Sequence, residues 1–475
     1  MRTEEFRKAA YQVVDWMAWY MDNVSTLPVK AEVKPGDILS RLQDSAPEEG
    51  EPFDSIFREF LDVVLPGMTH WQSPSFFAYF PANSSPPSVI AEMITATLAA
   101  QCMIWETSPA ATEMEQRVME WLRDSMGLPS LFEGVIQDTA STATLAALLS
   151  ARERVTGFRS NESGMQGLPP LRVYCSGQTH SSIEKAVKIA GYGRENLVKT
   201  ELRSDLSIDP QSLAHLIEAD IGLGYLPAAV VATLGTTGTT AIDPIREVGE
   251  VCRRHGLWFH VDAALAGTAL LLPELRHIAD GIEMADSFVF NPHKWMFTNF
   301  DCSAYFVKDA DHLIKTFEIL PEYLKTRTRG EVNDYRDWGV PLGRRFRALK
   351  LWMVIKSYGV DGLRAKIRHH ISLASWLADQ IVEAADFELF APPLLNTVCF
   401  RYTPSGYSPI QLDDLNRRLN HALNDTGQIY LTHTVAGGRY TLRMVTSQTN
   451  VELEHVSSAW NLIREMAAAI SQKRK

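Results

Sequence analysis

Apolar residues at Phe6, Ala10, Val13, Met17, Tyr20 and Val24 recur every three or four positions, the spacing of one face of a helix. The stripe is broad for so terminal a segment, which predicts packing on another chain or domain. A polar stretch with Pro35, Gly36, Pro47 and Gly50 reads as a linker. From about residue 130 to 310 short β-rich runs alternate with helical patterns. RVYCS (172–176) leads into the helical HSSIEKAVKIAG, with Gly191 placed to stop it, and AAVVATLG (228–235) reads as a buried strand. In DPIREVGEVCRRHG, Asp243 is placed as an N-cap, Pro244 in the first turn, and Ile245, Val248 and Cys252 on one face. LWFHVDAA (257–264) and DSFVFN (286–291) are the next strands. This alternation predicts an α/β domain with a largely parallel sheet. Beyond Trp352, long helical patterns lead to a smaller α+β region whose expected strands lie in ELFAPPLLNTVCFRY and YTLRMVT.

Composition narrows the class. At 475 residues and 45% apolar, the chain has room for a large core and two or three domains. A net charge of −11 argues against a general nucleic-acid binder. The start carries Glu4, Glu5 and Asp15 where a signal peptide needs basic residues and an apolar run. The longest nearly uncharged stretch, 93–105, is too short to span a bilayer. Five widely spaced cysteines (Cys102, Cys175, Cys252, Cys302, Cys399) form no C-x-x-C pair and read as reduced thiols of a cytoplasmic protein.

The chemistry concentrates where strands run out, the usual place for ligands in an open α/β sheet. FHVDAA ends on Asp262, VATLGTT on Thr236 and Thr237, and SFVFNPHK on Asn291, His293 and Lys294. Lys294 is followed by Trp295, Met296, Phe297 and Phe300. Such an apolar flank lowers a lysine's pKa and readies it as a nucleophile. A lysine and an aspartate on neighbouring strand ends suit pyridoxal phosphate, which needs an amine for its aldehyde and a carboxylate for its ring nitrogen. Thr139, Ala140 and Ser141 open a helix whose free N–H groups can bind a phosphate, with Leu145, Leu148 and Leu149 on its apolar face. His180, in SGQTHSS, can stack on a cofactor ring or cap its own helix. No G-x-x-x-x-G-K-[ST] or dinucleotide fingerprint is present, and no histidine set has metal-ligand spacing.

The motifs FFAYFPANSS (76–85), SPAATEMEQRVMEWL (108–122), GVIQDTAST, HSSIEKA, VATLGTTGTTAIDPI, WFHVDAALAG, FNPHKWMFTNFDCS and DYRDWGVPLGRRFRALKLW (334–352) run through most of the chain. Together they resemble the group II pyridoxal-phosphate-dependent amino-acid decarboxylases, in particular those acting on aromatic L-amino acids: dopa, 5-hydroxytryptophan, tryptophan, tyrosine or phenylalanine. The resemblance implies pyridoxal phosphate fold type I, with a mostly parallel seven-stranded sheet. It implies an N-terminal helical segment (1–85) packing on a partner subunit, a large cofactor-binding domain (86–352) and a small α+β domain (353–475). It makes Lys294 the cofactor-bearing lysine, Asp262 the partner of the ring nitrogen and His180 the stacking residue, with Ala264 on the other ring face. Ala140, Ser141, Asn291 and His293 would hold the phosphate, and Thr237 would lie near the cofactor. Trp71, Tyr79, Phe80 and Pro81 would line the substrate pocket, with Met103 and Ile104 reaching in from the second subunit of a homodimer.

Residues 320–338 are charged and poor in apolar residues, the texture of a mobile surface loop. In the resembling family this loop closes over the site, and Tyr323 matches the tyrosine that protonates the α-carbon. Members that make aldehydes carry phenylalanine there, so Tyr323 favours simple decarboxylation, as does His180. Gly343 matches members that accept bulky indole substrates. The chain departs from the family at Asp138, Ala82, Leu265 and Met103, which bears on substrate preference more than on the reaction. The alternatives are a decarboxylase of another amino acid, an aromatic aldehyde synthase, and a binding protein whose Lys294 bonds no cofactor.

Overall fold

Runs of valine, phenylalanine and alanine make strands only where both faces of a sheet are covered, and this chain builds such a sheet. A computed structural model describes residues 1–319 and 331–472. Its larger sheet has seven strands: β1 (Glu133–Gln137), β2 (Leu171–Ser176), β3 (Leu197–Thr200), β4 (Leu226–Thr233), β5 (Trp258–Asp262), β6 (Ser287–Phe290) and β7 (Ser303–Val307). The spatial order is β1-β7-β6-β5-β4-β2-β3. Neighbours from β3 to β6 run parallel, and β7 is antiparallel to both β1 and β6. Every residue of β5, β6 and β7 is buried. Helices Ala140–Thr156, Ser182–Ile189, Pro210–Gly222 and Ile245–His255 make the crossovers. The expected strands at 172–176, 228–235, 257–264 and 286–291 are β2, β4, β5 and β6. The pattern did not announce β1, β3 and β7. β3 is a half-exposed edge, and β7 is a buried run between β1 and β6.

Asp243 does not cap a helix. The helix begins at Ile245 with Pro244 in the N-cap position. Asp243 is fully buried, and its two carboxylate oxygens accept the N–H groups of Ile208 (2.8 Å) and Thr233 (2.7 Å). Burial pushes its carboxyl up to about 7, against the pull of those two bonds. It thereby ties down the end of β4, one strand from Asp262.

The described chain divides into two compact units, Ala82–His369, which contains the seven-stranded sheet, and Met1–Pro81 with His370–Lys475. The second unit holds an antiparallel sheet of β8 (Phe387–Leu389), β9 (Thr397–Tyr402), β10 (Thr432–Ala436) and β11 (Arg439–Val445), ordered β10-β11-β9-β8. Gly437 and Gly438, both at positive φ, form the two-residue turn between β10 and β11, a geometry that glycine adopts without steric cost. Val398, Phe400, Leu442 and Met444 pack with Leu415, Leu419, Trp460 and Phe77 in this unit's core. The first helix, Thr3–Asn23, buries only Ala9 fully and leaves Phe6, Tyr11 and Trp19 exposed. All five cysteines are buried and unbridged. Among the described residues no helix is long and apolar enough to cross a membrane.

Candidate active site

Asp262 is the last residue of β5, paired in register with Thr233 of β4 and Val289 of β6. It is 3% exposed, and its Oδ1 accepts the Ala264 N–H at 3.1 Å. Two residues back on the same face, His260 bonds Ser287 Oγ through Nδ1 (2.9 Å) and Thr144 Oγ1 through Nε2 (3.3 Å). Burial drives its pKa down to about 4, with the Asp262 charge opposing. A neutral imidazole thus stands beneath the carboxylate.

Beyond β6 the chain turns sharply. The Asn291 N–H donates to the Ala264 carbonyl and the Lys294 N–H to the Asn291 carbonyl, each at 2.9 Å. Lys294 lies on the single helical turn Pro292–Trp295, half-buried. Trp295, Met296 and Phe297 are buried as its apolar flank predicts, but Phe300 is 57% exposed and packs on the His293 ring at 4.6 Å. The turn is held from outside by Asn83, whose Nδ2 donates to the Lys294 carbonyl at 2.6 Å and whose N–H donates to the His293 carbonyl at 3.1 Å. His293 Nδ1 accepts the Cys302 N–H at 3.0 Å, which leaves the proton on Nε2. Burial and then the Lys294 charge lower its pKa to about 3.

Ser303, at the start of β7, donates to Asn291 Oδ1 at 2.7 Å and lies 3.4 Å from the Asp138 carbonyl. This brings Asn291 beside the turn that leaves β1. There Thr139 caps the helix Ala140–Thr156, its Oγ1 accepting the Thr142 N–H. Ala140 is buried and Ser141 exposed; first-turn N–H groups have no helical carbonyl to bond. The Asp138 carboxylate accepts the Thr139 N–H at 2.7 Å. It lines a cavity of about 40 Å³ with Tyr335, Gly343, Arg344 and Arg347, and its charge helps to raise the Arg347 pKa. The acidic residue that departs from the family pattern thus has a cationic neighbour.

His180 follows β2. Its Nδ1 takes the Ser182 N–H (3.2 Å) and the Ser182 hydroxyl (2.8 Å), so it holds its own helix start. The ring itself remains exposed, with the proton on Nε2. Partial burial and the charge of Lys294 lower its pKa, while Asp262 acts the other way. His180, Lys294 and Asp262, from the ends of three strands, therefore share one electrostatic neighbourhood. Thr236 is buried and closes its turn, Oγ1 accepting the Ala241 N–H at 3.1 Å, whereas Thr237 is exposed. Ala264 is half-buried and Leu265 buried.

Met103 is half-buried, its carbonyl accepting the Arg336 N–H at 2.9 Å, and Ile104 is 6% exposed. Gly343 is exposed, and a Cβ there would stand 3.2 Å from Gln101 Nε2. In the other unit, Trp71 packs on Phe76 (4.5 Å between ring centres) and Tyr79 (5.7 Å), with Tyr430 edge-on to both Phe76 and Tyr79. Tyr79 is half-exposed at φ +52°, a left-handed conformation rare for a bulky residue. Arg443, whose burial lowers its pKa to about 10, donates to the Tyr79 carbonyl at 2.7 Å and lies over the Phe80 ring. Pro81 is buried. Tyr323 lies outside the described residues. Nothing local in the sequence marks Asn83, Ser182, Ser303, Tyr430 or Arg443, although Asn83, Ser182 and Ser303 stand inside the family-like motifs.

Residues 35–403 match the pyridoxal-dependent decarboxylase conserved domain. A tryptophan decarboxylase of Camptotheca acuminata is 43% identical over 481 residues, covering 99% of this chain and 96% of its own. A phenylacetaldehyde synthase of Arabidopsis thaliana is 41% identical over 483 residues, covering 100% of this chain and 98% of its own. The crystal structure of the Oryza sativa tryptophan decarboxylase with pyridoxal phosphate and tryptamine superposes with a TM-score of 0.96 at 38% identity, covering 99% of both chains.

Proposed function

This chain belongs to the pyridoxal-dependent decarboxylase family, and from that premise we propose that it decarboxylates aromatic L-amino acids, releasing CO2 and an arylalkylamine. The observation that carries the reading is the pairing of buried Asp262 with Lys294 at the exits of adjacent strands, beside a helix N-terminus joined to Asn291 through Ser303. These groups fit pyridoxal phosphate: an amine for its aldehyde, a carboxylate for its ring nitrogen, and N–H donors for its phosphate. When bound, the cofactor supplies an electron-withdrawing ring that takes up the electron pair released as the carboxylate leaves.

The chain's own groups do the rest. Lys294 would hold the cofactor through its side-chain amine. Asp262, buried and accepting the Ala264 N–H, would face the ring nitrogen. His180, neutral and protonated on Nε2, would stack on one ring face and Ala264 would lie on the other, with Thr237 nearby. Ala140, Ser141, Asn291 and His293 would hold the phosphate, neutral His293 as a hydrogen-bond donor. Trp71, Tyr79, Phe80 and Pro81 would line the substrate pocket, with Met103 and Ile104 reaching in from a second subunit, and Gly343 suits a bulky indole substrate. Tyr323 returns a proton to the α-carbon, since a phenol retains its proton at neutral pH.

The protein acts as a homodimer in the cytoplasm. Supporting the homodimer are the exposed apolar residues Phe6, Tyr11 and Trp19 of the first helix, and Ile90, Met93, Ile94 and Leu98 of the helix Pro86–Leu98. Surfaces so apolar mark association sites.

The test is to incubate the protein and pyridoxal phosphate separately with tryptophan, tyrosine, dopa, phenylalanine, glutamate and cysteine sulfinate, measuring CO2, amine, aldehyde and hydrogen peroxide. Amine in step with CO2 from the aromatic substrates, absent with Lys294→Ala, is the expected result. Aldehyde with peroxide would instead make it an aldehyde synthase, and turnover of the acidic substrates alone would remove the aromatic assignment.

A further inference from the structure

Cys175 of β2 and Lys199 of β3 stand opposite one another in parallel register. Lys199 Nζ lies 3.0 Å from Cys175 Sγ and 3.3 Å from the Ser176 carbonyl. The alternation of a strand puts Cys175 with Val173, and Lys199 with Leu197, on the face that packs against Ile183 and Val187. The thiol is wholly buried, and burial raises its pKa while the Lys199 charge opposes. β3 is the edge of the sheet and Lys199 is largely exposed, so its amine has open water within reach. It folds back instead onto a sulfur, a weak acceptor, at the cost of side-chain freedom. Neither residue has a part in the site described above.

We propose that Cys175 and Lys199 are a covalent modification site, joined by oxidation through a single bridging oxygen atom between Sγ and Nζ. The oxidant is dioxygen. One S–H and one N–H bond break, and an S–O and an O–N bond form. One oxygen atom of dioxygen becomes the bridge, and the other leaves as water with the two hydrogens. Sulfur and nitrogen each give up an electron pair, and the two oxygen atoms take them. An S–O–N link spans nearly the distance already separating the two atoms, so neither strand has to move. The first rung of cysteine oxidation, sulfenic acid, likewise places one oxygen atom on the sulfur. The link would staple the edge strand to β2 beside Ser176, where the turn towards His180 begins.

The full-length protein is held in oxygen-saturated or nitrogen-purged buffer, digested without reductant and mapped by mass spectrometry. The expected product is a joined pair of peptides containing Cys175 and Lys199, heavier by one oxygen and lighter by two hydrogens than the free pair. It should be several-fold more abundant under oxygen, disappear after dithiothreitol, and be missing from Cys175→Ser and Lys199→Arg. Failure to find the joined pair in wild-type protein under oxygen overturns the proposal. So does its persistence in Lys199→Arg, or a link lacking the oxygen mass. The experiment needs neither cofactor nor substrate, so it stands apart from the functional reading.

Discussion

Asn83 Nδ2 donates to the carbonyl of Lys294 at 2.6 Å, across 211 positions of sequence. The same residue's N–H donates to the His293 carbonyl, so one buried asparagine holds two consecutive peptide groups of the turn that presents the lysine. The turn Pro292–Trp295 is only four residues long and cannot be stable by helix propensity alone. Its orientation is therefore imposed from outside.

Asn83→Ala should loosen that turn. A buried carbonyl left without its donor costs about 1–3 kcal/mol, and a reactive group held less well loses roughly ten-fold or more in kcat. The expected outcome is a lower thermal midpoint together with reduced kcat, at nearly unchanged KM. Wild-type kcat in a variant of lowered midpoint would show that Asn83 supports the fold and not the placement of Lys294.

Ser303→Ala removes the donor to Asn291 Oδ1 that ties β7 to the turn proposed to hold the phosphate. One buried hydrogen bond is worth about 1 kcal/mol net, so the pyridoxal phosphate concentration for half-saturation should rise roughly five-fold. Activity at saturating cofactor should stay close to normal. Titration of activity and of cofactor absorbance checks this; an unmoved half-saturation point would separate Ser303 from cofactor binding.

Two buried histidines set the acid limit. His260 and His293 have pKa values lowered to about 4 and about 3, against an ordinary value of about 6.5. Between these values the folded chain binds fewer protons than the unfolded one, so stability falls as pH falls. Their contribution is complete above about pH 6.5 and drains away as pH drops through about 4 and then about 3. Asp243 works in the opposite sense: its pKa is raised to about 7, so its contribution is lost as pH rises through that value. Thermal midpoints measured across pH should show an acid limb that is shallower in His260→Gln. An unchanged limb would assign it to other groups.

Gly343→Ser should narrow the substrate range. A Cβ there stands 3.2 Å from Gln101 Nε2, and Gln101 Oε1 is engaged by the Arg344 N–H at 2.7 Å, so the amide is not free to swing aside. The ratio of kcat/KM for tryptophan over tyrosine should fall roughly ten-fold, the scale on which a small volume change discriminates. An unaltered ratio would detach Gly343 from the substrate.

Much of the candidate site is legible in the chain because the chemistry proposed for it depends on residue type at strand ends. A buried strand, an aspartate as it stops, and an Asn-Pro-His-Lys turn after the next strand are local facts, and an α/β rhythm brings such ends to one edge. Asp243 shows where that reading fails: placed as a cap by its neighbours, it is drawn into the interior by two N–H groups, one of them on residue 208. Phe300, assigned to the lysine's apolar flank, faces outward, since a run of aromatics does not reveal which of them the turn will bury.

The amino-acid sequence by itself determined the α/β rhythm and the family, and it singled out Lys294 and Asp262 at the strand ends, because periodicity and reactive side chains are written residue by residue. Only the tertiary structure decided that residues 1–81 and 370–475 form one compact unit. It alone showed that β7 lies antiparallel between β1 and β6, that Asn83 and Ser303 brace the site, and that Asp138 faces Arg347. Those facts rest on hydrogen bonds and charges between residues far apart in the chain, and a partner's position is set by the folding of everything between.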